Sequence, residues 1–369
     1  MKSAGRPLPG RPGRTGRNSQ PGRHSQRRRR GRQGRDERRR GSGLRRRPGL
    51  HGGRFRPPDD GRDRGRRAPR HRCRRQRRPD HGHRRRGRQP DPRPDRAAGR
   101  FRANTVKIMQ DGVAENFTAA VLDPYLDPAG CHSRGSGLSS IDPQALRDYV
   151  TRLDGEHFQV HLHAIGDRAV RESLDAIEAA RAANGPGDGR HHIAHLQLIH
   201  PDDLPRFAAL GVTATIQGLW AAHEPQMDQL TIPFVGPERA ARHYLFGDLL
   251  RSGARLAAGS DWAVSSANPL RAIHVAVNRA LPGAAGPEAE PFLPGQRLSL
   301  AEALAAYTAG SAFVNHLDDV TGTITPGKLA DLIVLDTDPF AVAAQDIASV
   351  RVLQTLVEGE QVYQERNSS

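Results

Sequence analysis

The composition of the chain changes abruptly at about Asn104, and only the second part can build a hydrophobic core. Residues 1–100 carry 37 Lys and Arg against 8 Asp and Glu, in runs such as "SQRRRRGRQGRDERRR", and have almost no aliphatic side chains. Such a segment cannot bury enough apolar surface to offset the conformational entropy lost on ordering. We therefore predict that residues 1–103 are a disordered, low-complexity segment and that residues 104–369 carry the fold.

Three interpretations of the basic segment stay open. Its charge suits an arm that binds nucleic acid through the phosphates. Against this, Phe55 is the only aromatic residue among the arginines, Lys2 is the only lysine, and no RGG-type repeat occurs. The segment can instead be a solvated tail without a role, or GC-rich coding DNA translated in a wrong reading frame. We favour the wrong frame, since it yields such mixtures of Arg, Gly, Pro and His, and do not expect nucleic acid as a partner.

The rest of the chain has the composition of an ordinary cytosolic α/β protein, with 20 basic against 32 acidic residues over 101–369. Cys73 and Cys131 lie in dissimilar contexts and predict neither a disulfide framework nor a cysteine metal site. No apolar run approaches the roughly 20 residues of a membrane span, and the N-terminus lacks the apolar core of a signal peptide. We expect a cytoplasmic protein without a membrane partner.

Strands and helices alternate from residue 104 to about residue 320. Five β-type runs are recognisable: "TVKIMQDG", "FQVHLHAIG", "RHHIAHLQL", "VTATIQ" and "ARLAAGSDW". Between them lie helical patterns, among them an apolar stripe of Val170, Leu174 and Ile177 and the run "PERAARHYLFGDLLRSG". Strands that alternate with helices predict βα units and a parallel sheet.

The pattern changes after about residue 321. Before that point, Ser299 and Glu302 predict a capping box at a helix start. Beyond it, "LADLIVLD" and "VLQTLVEGEQVYQ" predict strands without a long intervening helix, with Glu358-Gly359 as a hairpin turn. Residues 321–369 are therefore expected to form a small β module on the α/β body of residues 104–320.

Four of the predicted strands end in a polar side chain of a kind that a buried parallel strand does not normally carry. They are Lys107, His163, His195 and Asp261. The carboxyl ends of parallel strands form the reaction face of α/β folds, and nitrogen and oxygen donors of this kind suit a divalent ion such as zinc. Each residue alone also has a structural interpretation: core histidines, a helix N-cap for Asp261, and a salt bridge of Lys107 to Asp111.

In their order, these motifs resemble one family. The runs "VKIMQDG", "HLHAIGDRAV", "RHHIAHLQL", "AAGSDW" and "PGKLADLIVLD" are similar to the C-terminal two-thirds of the amidohydrolase superfamily. The branch they resemble is amidohydrolase family 3, which is YtcJ-like and related to N-substituted formamide deformylases. The resemblance covers nearly all of residues 104–369. It implies a (β/α)8 TIM-type barrel, here incomplete with about strands four to eight, plus part of a small C-terminal β-sandwich.

The resemblance also implies roles for the four polar residues. His163 and His195 would be metal ligands, and Asp261 would bind metal and take the proton from the hydrolytic water. Lys107 would be a ligand only if carbamylated, because an ammonium group cannot bind a cation. The implied cofactor is one or two divalent ions, with zinc expected, and the implied reaction is hydrolysis of an amide or formamide-type C–N bond in a small molecule. Four further residues are expected to line the pocket without an assigned role: His161, Asp111, Trp220 and Trp262.

Part of the family's pattern is missing. The superfamily uses a His-x-His pair on the first barrel strand, and although His81 and His83 have this spacing, arginines and prolines flank them. Ala194 stands where many relatives carry glutamate. Residues 104–369 would then supply a five-stranded sheet with two open edges. We expect the chain as written to be aggregation-prone and weakly active or inactive.

The competing hypothesis comes from another functional class. It makes the chain a basic nucleic-acid-binding arm fused to a catalytically dead barrel remnant, and steeply salt-dependent DNA binding would favour it. The sequence does not identify the substrate-binding residues, and a homo-oligomer is compatible with it.

Overall fold

The computed structural model describes residues 97–98, 101–131 and 135–366. Most of residues 1–103, the segment predicted to be disordered, lies outside them, as does the pair His81 and His83, whereas its last residues are described and form strands. The described chain begins with two short antiparallel strands, β1 (Ala97–Ala98) and β2 (Phe101–Arg102).

Five parallel strands form the central sheet, in the order in which they follow one another along the chain. They are β3 (Thr105–Met109), β4 (Gln159–Ala164), β5 (His192–His195), β6 (Thr213–Ile216) and β7 (Arg255–Ala258). Each strand matches one of the five predicted β-type runs. The α/β class with a parallel sheet is thereby confirmed.

Helices connect these strands and continue after the last of them. They are α1 (Pro143–Gly155), α2 (Asp167–Asn184), α3 (Leu204–Leu210), α4 (Pro225–Leu230), α5 (Ile232–Ala240), α6 (Phe246–Arg251), α7 (Pro269–Asn278), α8 (Leu300–Ala305) and α9 (Ser311–Val314). The predicted stripe of Val170, Leu174 and Ile177 is fully buried in the core. The capping box at the start of α8 is confirmed, since the Ser299 and Glu302 side chains each bond the other's backbone N–H. In the described part of the chain, the helices fall short of the length and apolarity needed to cross a membrane.

The helix predicted over "PERAARHYLFGDLLRSG" is interrupted between α5 and α6. Tyr244 has a φ of 47°, which an α-helix does not accommodate, and its N–H donates to the Gln197 carbonyl at 2.9 Å. His243 forms an isolated bridge with Leu198. These two contacts attach the interrupted segment to the loop that follows β5.

A three-stranded antiparallel sheet follows the helices, as the change of pattern after residue 321 predicts. Its strands, β8 (Leu332–Leu335), β9 (Val352–Val357) and β10 (Glu360–Gln364), are arranged in the order β10-β9-β8. Glu358 and Gly359 join β9 to β10 with φ values of 54° and 82°, the positive φ pair of a two-residue hairpin turn. The predicted hairpin is confirmed.

Candidate metal centre

The strand register arranges the polar side chains of the central sheet in two layers. Lys107 on β3 is the register partner of His161 on β4, and His161 is in turn the partner of His192 on β5. His163 lies two residues further along β4. Because residues two apart on a strand point to the same face, both layers project from one face. They are separated by about 6.6 Å, twice the rise of roughly 3.3 Å per residue.

His163 is fixed by a buried carboxylate. Its Nδ1 lies 3.0 Å from Asp111 Oδ1, and the same carboxylate accepts the backbone N–H groups of Ala120, Ile165 and Gly166 at 2.9–3.0 Å. A carboxylate only accepts hydrogen bonds, so Nδ1 of His163 carries a proton, and in the neutral ring Nε2 is the nitrogen left for a ligand. Metal-binding histidines are held in this state, with the second ring nitrogen donating to a carboxylate.

The loop around Asp111 requires a glycine. A Cβ at Gly166 would lie 2.0 Å from the Ala120 carbonyl oxygen. Because Gly166 has no side chain, the start of α2 can approach the loop at Ala120 closely. Backbone N–H groups of both segments can then donate to Asp111. The run "HAIGDRA" therefore places His163 and two of the three N–H groups that hold its carboxylate partner within four residues.

His195 lies beside His163 at the end of β5. Its φ of 80° turns the chain there, and the two imidazole centroids are 4.5 Å apart. The indole of Trp220 stacks on the other side, with centroids 5.5 Å apart and an angle of 17° between the planes. Burial lowers the pKa of His195 to about 3, and its Nδ1 has no hydrogen-bond partner among the described residues. The ring is therefore neutral at physiological pH and has a nitrogen available for a ligand.

Lys107 associates with His161 in the deeper layer. Lys107 is the third residue of β3 rather than its last, and its Nζ lies 3.1 Å from His161 Nε2. Burial lowers the pKa of Lys107, although the negative charge of Asp261 opposes this. Burial and the neighbouring Lys107 also lower the pKa of His161 to about 4.

Asp261 is exposed in the turn after β7, with a φ of 53°. The helix N-cap interpretation is wrong, because α7 begins at Pro269 and is capped by Asn268. Asp261 acts electrostatically on Lys107. In the part of the chain that the structure describes, no three His, Cys, Asp or Glu side chains form a group that could hold a metal ion.

The structure therefore assembles the predicted residues in part. It brings His163 and His195 together, and their chemistry fits a borderline-soft divalent cation, since both are buried imidazoles with a ring nitrogen left for a ligand. It places Lys107 beside His161 and leaves Asp261 in an exposed turn outside this pair.

Two pocket residues acquire roles that sequence reasoning left unassigned. Asp111 positions His163, and Trp220 stacks on His195. A carboxylate just past the end of a strand, as in "KIMQDG", is a signal that could have identified the first role. The stacking of Trp220 has no comparable signal in the sequence.

Comparisons with known proteins identify related chains. The model of the amidohydrolase family matches residues 77–363. The chain is 36% identical over 259 residues to the protein LONG AFTER FAR-RED 3 of Arabidopsis thaliana, covering 70% of this chain and 42% of that protein. It is 24% identical over 279 residues to N-substituted formamide deformylase of Arthrobacter pascens, covering 73% and 47%.

The chain is also similar to a solved structure. The crystal structure of an uncharacterized metal-dependent hydrolase from Pyrococcus furiosus superposes with a TM-score of 0.54 and 31% sequence identity, over 66% of this chain and 46% of that one. The chain thus spans less than half the length of these relatives.

Proposed function

The chain belongs to the amidohydrolase family, and from this premise we propose that it is a metal-dependent hydrolase of a non-peptide C–N bond, of the amide or formamide type, in a small molecule. One relative is by name a deformylase of N-substituted formamides, and the Pyrococcus furiosus protein is by title a metal-dependent hydrolase. The observation that carries the proposal is the buried pair His163 and His195, whose rings are 4.5 Å apart.

We assign a divalent ion, zinc by preference, to His163, His195 and Asp261, with Lys107 as a further ligand if it is carbamylated. When bound, the ion supplies an activated water and polarises the scissile carbonyl. Asp261 takes the proton from the attacking water and passes it to the leaving nitrogen. Its exposure in the turn after β7 makes it accessible to substrate.

The other residues of the site act on the two histidines. Asp111 holds His163 in the tautomer whose Nε2 faces a ligand. Trp220 covers one face of His195 and excludes water from it. The ion would therefore be bound by rings whose orientation is set before it arrives.

We further propose that the chain divides into a low-complexity segment at residues 1–103, a barrel portion at 104–320 and a β-sandwich portion at 321–369. The edge strands β3 and β7 each have one neighbour in the described sheet. We therefore expect low turnover and a tendency to aggregate when the chain acts alone. The cytoplasm is the expected compartment, since the two cysteines lie in unrelated contexts.

The activity is tested by chelator treatment and zinc readdition on the full chain, followed by assay against a panel of N-substituted formamides, amides and dipeptides. We expect slow release of amine from formamides or amides that requires zinc, leaves dipeptides intact and is lost in Asp261→Asn. Asp127→Asn, a change in another exposed loop, is the matched control. Hydrolysis that is equal in Asp261→Asn, or confined to dipeptides, would overturn the proposal.

A further inference from the structure

A second pair of imidazoles lies in the deeper layer of the same sheet face. His161 on β4 and His192 on β5 are register partners, and their ring centroids are 4.1 Å apart at an angle of 62°. In the layer above, the rings of His163 and His195 are also close, with centroids 4.5 Å apart, although the register pairs His163 with Ala194 and His195 with Ala164. The sheet thus carries two stacked histidine pairs.

The hydrogen-bond partners of His192 differ from those of its neighbour His191. Neighbouring His191 has both ring nitrogens engaged, with Nε2 at 2.8 Å from Asp154 Oδ1 and Nδ1 accepting the Val160 N–H at 3.0 Å. His192 is only 7% exposed, yet its Nε2 has no hydrogen-bond partner among the described residues. Its Nδ1 makes one long contact, 3.4 Å to Thr215 Oγ1.

A buried polar atom without a partner costs about 1–3 kcal/mol, so native proteins normally supply one. No described side chain supplies it to His192 Nε2. The nearest ring is His161, a second nitrogen base, and beyond it lies the amine of Lys107. Clustered nitrogen donors are the ligands that zinc, nickel and copper prefer among divalent ions.

The His161 side of this pair lies near the protein surface. In the described sheet β3 is an edge strand, Lys107 on it is exposed, and His161 is half-buried. Its Nζ occupies the lone pair of His161 Nε2 at 3.1 Å, and a flexible exposed side chain can leave this position for solvent. An ion arriving from the β3 edge would meet His161 first and the buried His192 behind it.

We propose that His161 and His192 form a second cation site, separate from the His163 and His195 pair, which takes a divalent transition-metal ion of the zinc, nickel or copper class. The site needs neither an amide substrate nor the catalytic ion. In its uncarbamylated form Lys107 acts as the gate of this second site rather than as its ligand, because the ammonium group competes with the ion for His161 Nε2.

The test is cobalt binding to the full chain after chelator treatment, followed by visible absorption and by metal analysis after gel filtration. Chains altered at His163→Ala and His195→Ala together are expected to retain one cobalt equivalent that the further change His192→Ala removes. Wild type altered at His161→Ala and His192→Ala should bind one equivalent fewer than the chain with the control change His200→Ala. Circular dichroism verifies that each variant is folded.

Lys107→Gln tests whether Lys107 competes with the ion at the second site or binds it. In the background that lacks His163 and His195, we expect it to strengthen cobalt binding at least 3-fold, since a competing positive charge is gone. Unchanged stoichiometry in His161→Ala with His192→Ala, or loss of all cobalt when only His163 and His195 are replaced, would overturn this proposal while leaving the proposed hydrolase intact. Conversely, wild type that binds both cobalt equivalents but hydrolyses no amide or formamide would overturn the proposed hydrolase and leave the second cation site intact.

Discussion

Asp111 Oδ1 lies 3.0 Å from His163 Nδ1, and this contact determines which ring nitrogen of the histidine is engaged by the carboxylate. Asp111 is 2% exposed. Its carboxylate also accepts the backbone N–H groups of Ala120, Ile165 and Gly166. One side chain therefore serves both the fold and the site, and its replacement should affect both.

The change Asp111→Asn should lower the free energy of unfolding by about 2–3 kcal/mol, because hydrogen bonds to a charged acceptor are lost in a buried place. It should also weaken zinc binding by roughly 10- to 100-fold, the usual effect of removing the carboxylate partner of a ligating histidine. Urea unfolding and chelator competition measure the two effects. Asp127→Asn, whose carboxylate holds exposed N–H groups at Ala129 and Cys131, should change neither. Wild-type zinc affinity in folded Asp111→Asn would contradict the positioning role.

The close approach at Gly166 can be tested by adding one methyl group. Gly166→Ala should lower the free energy of unfolding by about 1–3 kcal/mol, since the new Cβ would meet the Ala120 carbonyl oxygen at 2.0 Å. Gly187→Ala is the matched control, because nothing lies within 4 Å of its Cβ position. Equal stability of the two variants in urea would show that the Asp111 loop does not depend on this glycine.

Acid should destabilise the fold through His243, which lies away from the metal centre. Burial lowers its pKa to about 4 from the ordinary value of 6.5. Between these two values the unfolded chain binds a proton that the folded chain does not, so stability is fully present above pH 6.5 and falls as the pH drops toward 4. At pH 5 the loss is roughly 2 kcal/mol.

The matching variant is His243→Asn, which cannot titrate in this range. Its unfolding midpoint in urea should fall less between pH 7 and pH 5 than that of wild type. His223→Asn replaces a half-buried histidine paired with Asp228 and should keep the steep wild-type profile. A profile for His243→Asn as steep as wild type would assign the acid sensitivity to other groups.

Trp220 should report on and support the ion at His195. Trp220→Ala removes a ring stacked at 5.5 Å, and the loss of such a pair, about 0.5–1.5 kcal/mol, corresponds to roughly 2- to 10-fold weaker zinc binding. Trp262 is 74% exposed, and Trp262→Phe should leave zinc affinity unchanged. That variant also makes Trp220 the single tryptophan, so zinc should alter its fluorescence. No fluorescence change on zinc binding would argue against an ion next to this ring.

Local sequence pattern predicted the scaffold well and the details of the site less well. The strands β3 to β7 follow from apolar runs, and the shared face of His161 and His163 follows from their spacing. The pairing of His161 with His192 depends on strand register, which no local pattern encodes. The break at Tyr244 likewise depends on a hydrogen bond to Gln197, a partner 47 positions earlier in the chain.

Asp261 shows the limit of motif reasoning at the site itself. The run "AAGSDW" predicts a carboxylate just past a strand, and the structure has it there. Its position relative to the imidazoles depends on a turn with a positive φ, and turn conformation at a strand end is set by tertiary contacts. The sequence could therefore identify the residue without placing its side chain.

The central claim is that His163 and His195 hold a divalent ion. The most direct measurement is a zinc titration of the chelator-treated full chain in competition with a chromophoric chelator, for wild type, for His163→Ala with His195→Ala, and for the control His200→Ala. We predict that the double variant binds one zinc equivalent fewer than wild type, whereas His200→Ala binds as many. Equal zinc stoichiometry and affinity in all three proteins would contradict the claim.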